Sequence, residues 1–229
     1  MGNLYALTIQ KMLSMNRYTQ YPAEGKIVAG YEISQNTDRA KALNTIKEKL
    51  QFSHCYHLNQ IHSEKIVTFK KGMKPGLDGD AIICYEKNVL LGVFTADCVP
   101  VTIYSENGIG IIHAGWKGFM RGIFQHFFEK FTIRPGHIKA VIGPCICNKC
   151  YEVGYDVATH FRSECLVSIN DKVYLDLKKA AWHHLIENNL LKENITISDK
   201  CTLCSKDSFH SYRRNKTPFR NINFVGKIE

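Results

Sequence analysis

The chain has 229 residues with 45% hydrophobic and 22% charged residues, which suits one globular domain over residues 1–229 and argues against an intrinsically disordered protein. No apolar run approaches the roughly 20 residues that span a bilayer, so we expect neither a membrane-spanning helix nor a membrane partner. The net charge of +9 comes from scattered lysines and arginines without a nucleic-acid-binding signature, so small anionic molecules are favoured over RNA or DNA as partners.

The hydrophobic pattern predicts alternating helices and strands. It predicts, in chain order, a helix over about 38–50, a buried strand at 88–94, an extended segment at 101–104, a strand at 108–112, a helix over about 118–131, a strand at 138–142, helices at 155–162 and 176–189, and a strand at 195–198. No glycine fingerprint opens a helix, which argues against a Rossmann unit. The predicted fold class is α+β, a single layered α/β domain with mixed sheets. No oligomeric state is predicted.

The N-terminus and the cysteines indicate the compartment. Residues 1–18 contain neither a long apolar stretch nor a small-residue cleavage site, so no signal peptide is predicted. The nine cysteines are an odd number, which argues against a complete set of intramolecular disulfides. We therefore expect a cytoplasmic protein whose cysteines are buried thiols, ligands or nucleophiles.

Three residues suggest a mononuclear metal site. Cys98 and His113 each follow a predicted buried strand, and side chains at neighbouring strand ends can converge on one point. His62 could approach the same point from an extended segment. One thiolate and two imidazoles leave a fourth position open, as in catalytic zinc sites. The three are too far apart in sequence to match a local metal motif, so a core cysteine and hydrogen-bonded histidines remain the alternative interpretation.

Six segments carry a family resemblance. They occur in the order and approximate spacing of a known family: Gln60-Ile61-His62, Asp78-Gly79-Asp80-Ala81, Thr95-Ala96-Asp97-Cys98-Val99-Pro100, His113-Ala114-Gly115-Trp116-Lys117-Gly118, Ile142-Gly143-Pro144-Cys145-Ile146 and Cys150-Tyr151-Glu152-Val153-Gly154. From about Gln60 to Tyr212 the chain resembles the YlmD/YfiH family of laccase-domain proteins, also called polyphenol oxidases or peptidoglycan editing factors.

The resemblance implies a zinc site at His62, Cys98 and His113. Copper is possible there, because blue-copper sites also use two histidines and one cysteine. The resemblance further implies a layered fold shared with a group of predicted cysteine hydrolases. The implied activity is phosphorolysis of purine nucleosides (adenosine, inosine, guanosine and methylthioadenosine), with phosphate as the second substrate, together with adenosine deamination.

Further residues are candidates for binding substrate or for catalysis. Arg213 and Arg214, in a Ser-Tyr-Arg-Arg stretch that matches the family, could hold phosphate, with a solvated surface pair as the alternative. Tyr151 could stack on a purine. Asp97 is a candidate catalytic residue that orients ligands or exchanges protons, with a turn or cap role as the alternative. Beyond Arg214 the sequence departs from the family pattern, and Arg220 is a candidate to replace the family's late arginine.

Asp80 is a second acidic candidate beside the metal-site hypothesis. Like Asp97, it could orient a ligand or exchange protons, since histidine ligands are commonly held by a carboxylate. A turn or helix-capping role is the alternative for this residue.

Two alternative functions use the same residues. Cys98 as nucleophile with His113 as base would make a Cys–His hydrolase of peptidoglycan precursors. His62 discriminates against it, because a bare dyad does not require a second histidine. A copper-dependent phenol oxidase is the other alternative. A multicopper oxidase needs His-x-His pairs for its trinuclear cluster, and the sequence contains none.

Two C-x2-C pairs lie outside this hypothesis. Cys147 with Cys150, and Cys201 with Cys204, have the local spacing of structural zinc ligands. The separation between the two pairs exceeds the usual zinc-ribbon spacing. We therefore expect reactive or merely buried thiols at these positions, with a second metal site as the alternative.

Overall fold

The structure of the protein is a computed structural model that describes residues 18–20 and 26–228. The expectation that the N-terminus is not a signal peptide falls on residues that lie almost entirely outside this described part. Within it, no helix combines the length and the apolar character that crossing a membrane requires.

The strands and helices follow in chain order. The strands are β1 (Tyr18–Gln20), β2 (Ile27–Ile33), β3 (His54–Tyr56), β4 (Ile66–Thr68), β5 (Ala81–Cys84), β6 (Val89–Thr95), β7 (Val99–Ser105), β8 (Gly108–Ala114), β9 (Lys139–Ile142), β10 (Glu152–Val153), β11 (Leu166–Ile169), β12 (Lys172–Leu175), β13 (Ile195–Ile197) and β14 (Asn221–Lys227). The α-helices are α1 (Arg39–Lys49), α2 (Trp116–Met120), α3 (Ile123–Lys130), α4 (Tyr155–Ala158), α5 (Leu177–Glu187) and α6 (Tyr212–Asn215). Asp38 and Asp176 cap α1 and α5 by accepting backbone N–H bonds from Lys41 and Lys179.

The described strands form three sheets. The first has the order β1-β2-β14-β6-β3, the second β13-β9-β7-β8-β5-β4, and the third, which is small, β10-β12-β11. The two large sheets are mixed: β3 pairs with β6 and β13 with β9 in parallel, whereas β7 pairs with β8 antiparallel. The predicted fold class, mixed α and β structure with mixed sheets, is confirmed.

The two large sheets pack face to face and carry helices on their outer faces. Along β5, Ala81 and Ile83 face the cluster that contains the α3 and α5 side chains, whereas Ile82 and Cys84 face the other large sheet. The outer face of the first sheet packs on α1 through Leu43 and its neighbours. Because both faces of the central strands are buried, they read as continuous apolar runs without polar alternation.

Two predicted helices were wrong in extent. The helix expected over 118–131 is two helices, because Gly122 adopts a left-handed backbone with φ of 76° that separates α2 from α3. The helix expected at 155–162 ends at Ala158. Beyond it the backbone N–H groups of His160 and Phe161 bond three residues back, to Val157 and Ala158, so the α-helical pattern stops.

Candidate active site

The ends of three neighbouring strands place the candidate residues. Cys98 lies in the tight connection between β6 and β7, where Asp97 turns the chain with a left-handed φ of 98°. His113 lies near the end of β8 and is in register with Pro100 of β7. The antiparallel pairing of β7 and β8 therefore brings Cys98 and His113 to the same sheet edge.

Asp80 joins His62 to this edge. The Asp80 carboxylate, which is fully buried, accepts hydrogen bonds from the backbone N–H of His62 at 3.1 Å and from the backbone and hydroxyl of Ser63 at 2.6 and 2.7 Å. Its Oδ1 also contacts Nδ1 of His113 at 2.9 Å. Burial would raise the pKa of Asp80, but its bonds to His113 and Ser63 outweigh that effect and lower the pKa to about 2.

The three ligand atoms are close enough for one metal ion. Cys98 Sγ lies 3.9 Å from His62 Nε2, and the ligand atoms of His62, Cys98 and His113 all lie within 4.8 Å of one another. A tetrahedral zinc ion with bonds of about 2.3 Å to sulfur and about 2.0 Å to nitrogen would place such a pair about 3.5 Å apart, so the observed sulfur–nitrogen distance needs a shift of only a few tenths of an ångström. The bond from Asp80 occupies Nδ1 of His113 and leaves Nε2 for a metal, which is the usual carboxylate–histidine–metal arrangement. The side chains of His62, Cys98 and His113 therefore fit a zinc ion.

Charge also favours a thiolate at this position. Burial would raise the pKa of Cys98, but the His113 charge and hydrogen bonds from both histidines lower it below the ordinary thiol value. The pKa of His113 is raised in turn, because the Cys98 thiolate and Asp80 outweigh the effect of burial. A deprotonated thiol is the form that binds metal and the form that acts as a nucleophile.

Gly115 provides space for the ligands. A Cβ at this position would lie 2.9 Å from Cys98 Sγ and 3.3 Å from His62 Cδ2. Its backbone, with φ of −89°, is open to any residue, so the requirement for glycine is purely steric.

We expect Gly115→Ala to displace the sulfur and weaken metal binding by about tenfold or more, measured by competition with a chelator. Gly136→Ala, where a Cβ meets nothing within 4 Å, is the matched control. Equal metal affinities would contradict the assignment of these ligands.

A cavity of about 550 Å³ opens onto the three candidate ligands. Its charged lining is mainly cationic, and aromatic rings add apolar surface. It is lined by Arg39, Gln60, His62, Phe94, Ala96, Asp97, Cys98, His113, Gly115, Trp116, Lys117, Tyr151, Leu177, Tyr212, Arg213 and Arg220. Such a cavity suits a ligand that combines an anionic group with a flat ring.

The two arginines of the Ser-Tyr-Arg-Arg stretch have different surroundings in the structure. Arg213 lines the cavity, lies 5.3 Å over the Tyr151 ring and donates to the Glu152 carbonyl at 3.0 Å. Arg214 is not among the lining residues. Its guanidinium donates to the carbonyls of Phe209, Thr202 and Leu203 at 2.8, 3.1 and 2.6 Å, which joins two loops. The geometry therefore favours Arg213 as a substrate contact and gives Arg214 a structural position.

Arg220 and Arg39 also line the cavity. Arg220 donates to the carbonyls of Thr217 and Phe219. Burial and the nearby charge of Arg220 both lower the pKa of Arg39, whose guanidinium lies 5.6 Å over the Phe94 ring. Two partly desolvated like charges form a place where an anion is stabilised.

The carboxylate of Asp97 accepts hydrogen bonds from three other residues. Thr202 Oγ1 donates to Oδ1 at 2.6 Å, and Ser211 Oγ and the backbone N–H of Arg213 donate to Oδ2 at 3.1 and 2.7 Å. These bonds tie the connection that carries Cys98 to two distant loops. They favour a positioning role for Asp97 over proton exchange with a substrate.

Several lining residues were not assigned a role from the sequence. Arg39 begins a helix in the N-terminal third, where no motif was found, and Gln60 uses its side chain to bond the backbone of Phe94 in both directions. Gln60 and Lys117 belong to recognised segments but had no assigned role. Arg39 lies on α1, Gln60 in the connection after β3 and Lys117 on α2, so only the tertiary structure brings them to one cavity.

Comparison with known proteins places this geometry in a family. Residues 31–226 match the family model described as multi-copper polyphenol oxidoreductase laccase. The chain is 34% identical over 210 residues to a purine nucleoside phosphorylase of Aquifex aeolicus, covering 91% of this chain and 98% of that protein. It is 35% identical over 149 residues to an adenosine deaminase named RL5, from an unknown prokaryotic organism, covering 59% of this chain and 56% of that protein.

A solved structure agrees with this assignment. YlmD from Geobacillus stearothermophilus superposes with a TM-score of 0.82 and 25% sequence identity, covering 94% of this chain and 97% of that one. The fold, the matched residues and the named relatives agree with the resemblance found in the sequence. The chain belongs to the laccase-like family of YlmD and YfiH and is an enzyme.

Proposed function

We propose that this protein is a zinc-dependent purine nucleoside phosphorylase that also deaminates adenosine. The observation that carries the proposal is that one cavity holds the His62, Cys98 and His113 side chains together with Arg39, Arg213 and Arg220. Names of relatives support it, since they include both a purine nucleoside phosphorylase and an adenosine deaminase. The expected substrates are adenosine, inosine, guanosine and methylthioadenosine, with phosphate.

The cationic side chains of the cavity would bind the phosphate. In phosphorolysis a phosphate oxygen attacks C1′ of the ribose, and the bond from C1′ to the purine nitrogen breaks with its electron pair leaving on the base. Guanidinium groups hold phosphate by charge-assisted hydrogen bonds and can fix it in line for this attack. Arg39 and Arg220 line the same cavity, and the charge of Arg220 lowers the pKa of Arg39, so bound phosphate would relieve their mutual repulsion.

The aromatic side chains of the cavity would bind the purine base. Phe94, Trp116 and Tyr151 offer ring surfaces within the same cavity as the cations. Burial and the Cys98 charge raise the pKa of Tyr151 to about 12 despite the opposing effect of Arg213, so its phenol stays protonated. A protonated phenol can donate a hydrogen bond to the purine as negative charge develops on it.

His62, Cys98 and His113 would hold the zinc ion. When bound there, zinc would supply Lewis acidity at the cavity wall, which deamination requires of the site and which would also stabilise the negative charge that develops during phosphorolysis. Asp80 orients His113 by its bond to Nδ1, and Asp97 fixes the connection that carries Cys98. These carboxylates hold the ligands in place before substrate arrives, so less reorganisation is needed during the reaction.

Product analysis tests both activities. Adenosine incubated with the enzyme and phosphate should give adenine with ribose 1-phosphate, and inosine with ammonia. Without phosphate, ammonia release should continue while base release stops. Release of free ribose at the same rate with and without phosphate would overturn the phosphorylase assignment.

Arg220→Ala should raise the KM for phosphate by about tenfold or more, because one charge-assisted hydrogen bond contributes about 1.5 to 3 kcal/mol. The KM for nucleoside should change much less. Arg134→Ala, at an exposed position outside the cavity lining, is the matched control. An unchanged phosphate KM in Arg220→Ala would remove Arg220 from the anion site.

A Cys–His hydrolase acting on peptidoglycan precursors is the second candidate. It is favoured by the lowered pKa of Cys98 and by the chain of contacts from Asp80 through His113 to Cys98, which resembles a catalytic triad. It gives no role to His62 or to the cluster of arginines. A phosphate requirement separates the two functions, since a hydrolase needs only water.

We also propose that the chain is one domain and acts in the cytoplasm. The nine cysteines are all unpaired, which suits a reducing compartment. The family match from residue 31 to residue 226 supports a single domain.

A further inference from the structure

A second group of potential metal ligands lies beside the candidate active site. The two C-x2-C pairs follow β9 and β13, which are neighbouring parallel strands. The chain segments after these strands stay side by side, since Cys145 and Cys201 form a further parallel bridge. The topology thus unites two pairs that are distant in sequence, and the sulfur atoms of Cys147, Cys150, Cys201 and Cys204 lie within 4.8 Å of one another.

The sulfur positions fit a tetrahedral ion. Cys147 Sγ and Cys204 Sγ are 3.8 Å apart. Four sulfurs at about 2.3 Å from a central zinc ion would be separated by about 3.8 Å along each edge of the tetrahedron. All four cysteines are unpaired, so none is committed to a disulfide.

Backbone N–H groups are directed at one of these sulfurs. Cys201 Sγ accepts from the N–H groups of Cys147, Leu203 and Cys204 at 3.3, 3.4 and 3.5 Å. Three donors around one sulfur stabilise negative charge on it, as expected for a thiolate that binds a metal. Two of the three come from positions two and three residues after Cys201, so the C-x2-C turn itself supplies them.

These two loops also form part of the candidate active site. Thr202, between the cysteines of the second pair, donates its hydroxyl to Asp97 at 2.6 Å. Tyr151 follows the first pair and bonds the Cys147 carbonyl through its N–H at 3.0 Å. A metal joining the loops would fix both Tyr151 and the Asp97 connection that carries Cys98.

We propose that Cys147, Cys150, Cys201 and Cys204 bind a second zinc ion in a structural site. Four thiolates complete a tetrahedral shell, so this site leaves no position for water or substrate. Its role is to hold together the two loops that support the cavity wall. A four-thiolate site also accepts iron, so the identity of the metal is part of the test.

The zinc content per chain tests this four-cysteine site separately from the site of His62, Cys98 and His113. The wild type should carry two zinc ions per chain, and Cys98→Ala with His113→Ala should carry one. Cys147→Ser with Cys204→Ser should also carry one, while the control Cys55→Ala keeps two. A folded Cys147→Ser/Cys204→Ser protein with the full wild-type metal content would overturn the proposal, as would iron in place of zinc.

Thiol labelling tests the same site in the unaltered protein, so it does not depend on the variants folding. Cys204 is exposed, so as a free thiol it should react readily with an alkylating reagent in the native protein. Bound to zinc, it should resist the first reagent and take a second, isotopically distinct reagent only after denaturation with a chelator. Rapid labelling of Cys204 in the native protein would show that no metal is bound there.

Discussion

Cys98→Ala will lose one zinc ion per chain and at least about a thousandfold of the rate of phosphate-dependent base release from inosine. The reason is that Cys98 is the one thiolate among the three candidate ligands, and metal-ion stabilisation of the transition state contributes several kcal/mol. The measurements are zinc by elemental analysis and hypoxanthine release by absorbance. The fold should survive, because Cys98 is only half-buried and lies in a connection between strands.

Cys55→Ala controls for the loss of a thiol. Cys55 is also half-buried but lies on β3, outside the cavity lining. We expect it to keep the wild-type zinc content and rate. A folded Cys98→Ala protein that retains its full metal content and rate would contradict the assignment of Cys98 as a ligand.

Asp80→Asn will destabilise the protein and weaken metal binding at His62, Cys98 and His113. The amide lacks the charge that Asp80 uses to accept bonds from His62, Ser63 and His113, and one amide hydrogen must face those donors. We expect a loss of about 2 to 4 kcal/mol in the free energy of unfolding, and a loss of metal affinity of about ten- to hundredfold. Denaturant unfolding and chelator competition measure the two effects.

The Asp80 effect should depend on pH. The pKa of Asp80 is lowered in the folded state from 3.8 to about 2, so its charge stabilises the fold above the ordinary value and that contribution is lost as the pH falls toward 2. The stability difference between wild type and Asp80→Asn should therefore be full at about pH 7 and smaller at about pH 3. Asp78→Asn, an exposed neighbour that bonds only Asn59 among the described residues, is the control and should differ little from wild type at either pH.

The regular elements were predictable where local signals coincide. Asp38 and Asp176 cap helices whose apolar faces repeat with helical period, and both helices are observed within two residues of their expected ends. The break at Gly122 was missed because Phe119, Ile123, Phe127 and Phe131 keep a four-residue spacing through it, and all four are buried in one cluster. Spacing alone could not distinguish one helix from two that face the same core.

The site depended on tertiary structure and on family resemblance. His62, Cys98 and His113 come from separate connections and strands, so no local spacing reveals that they meet. The four clustered cysteines were expected to remain separate thiols for the same reason. Their convergence follows from the parallel pairing of β9 with β13, and β13 is too short for its pairing partner to be inferred from sequence.

The family description names copper, but the cavity does not resemble a multicopper site. Among its described lining residues the histidines are His62 and His113, whereas a trinuclear copper cluster requires several histidine pairs. Ligand softness alone permits copper at a site with one cysteine and two histidines. The cationic lining points instead to an anionic substrate such as phosphate, which phenol oxidation does not require.

The proposed function is tested by hypoxanthine release from inosine by the zinc-loaded wild type, with and without phosphate. We expect rapid release that requires phosphate and yields one ribose 1-phosphate for each hypoxanthine. No turnover of inosine by a protein that carries its zinc, or turnover at the same rate without phosphate, would contradict it.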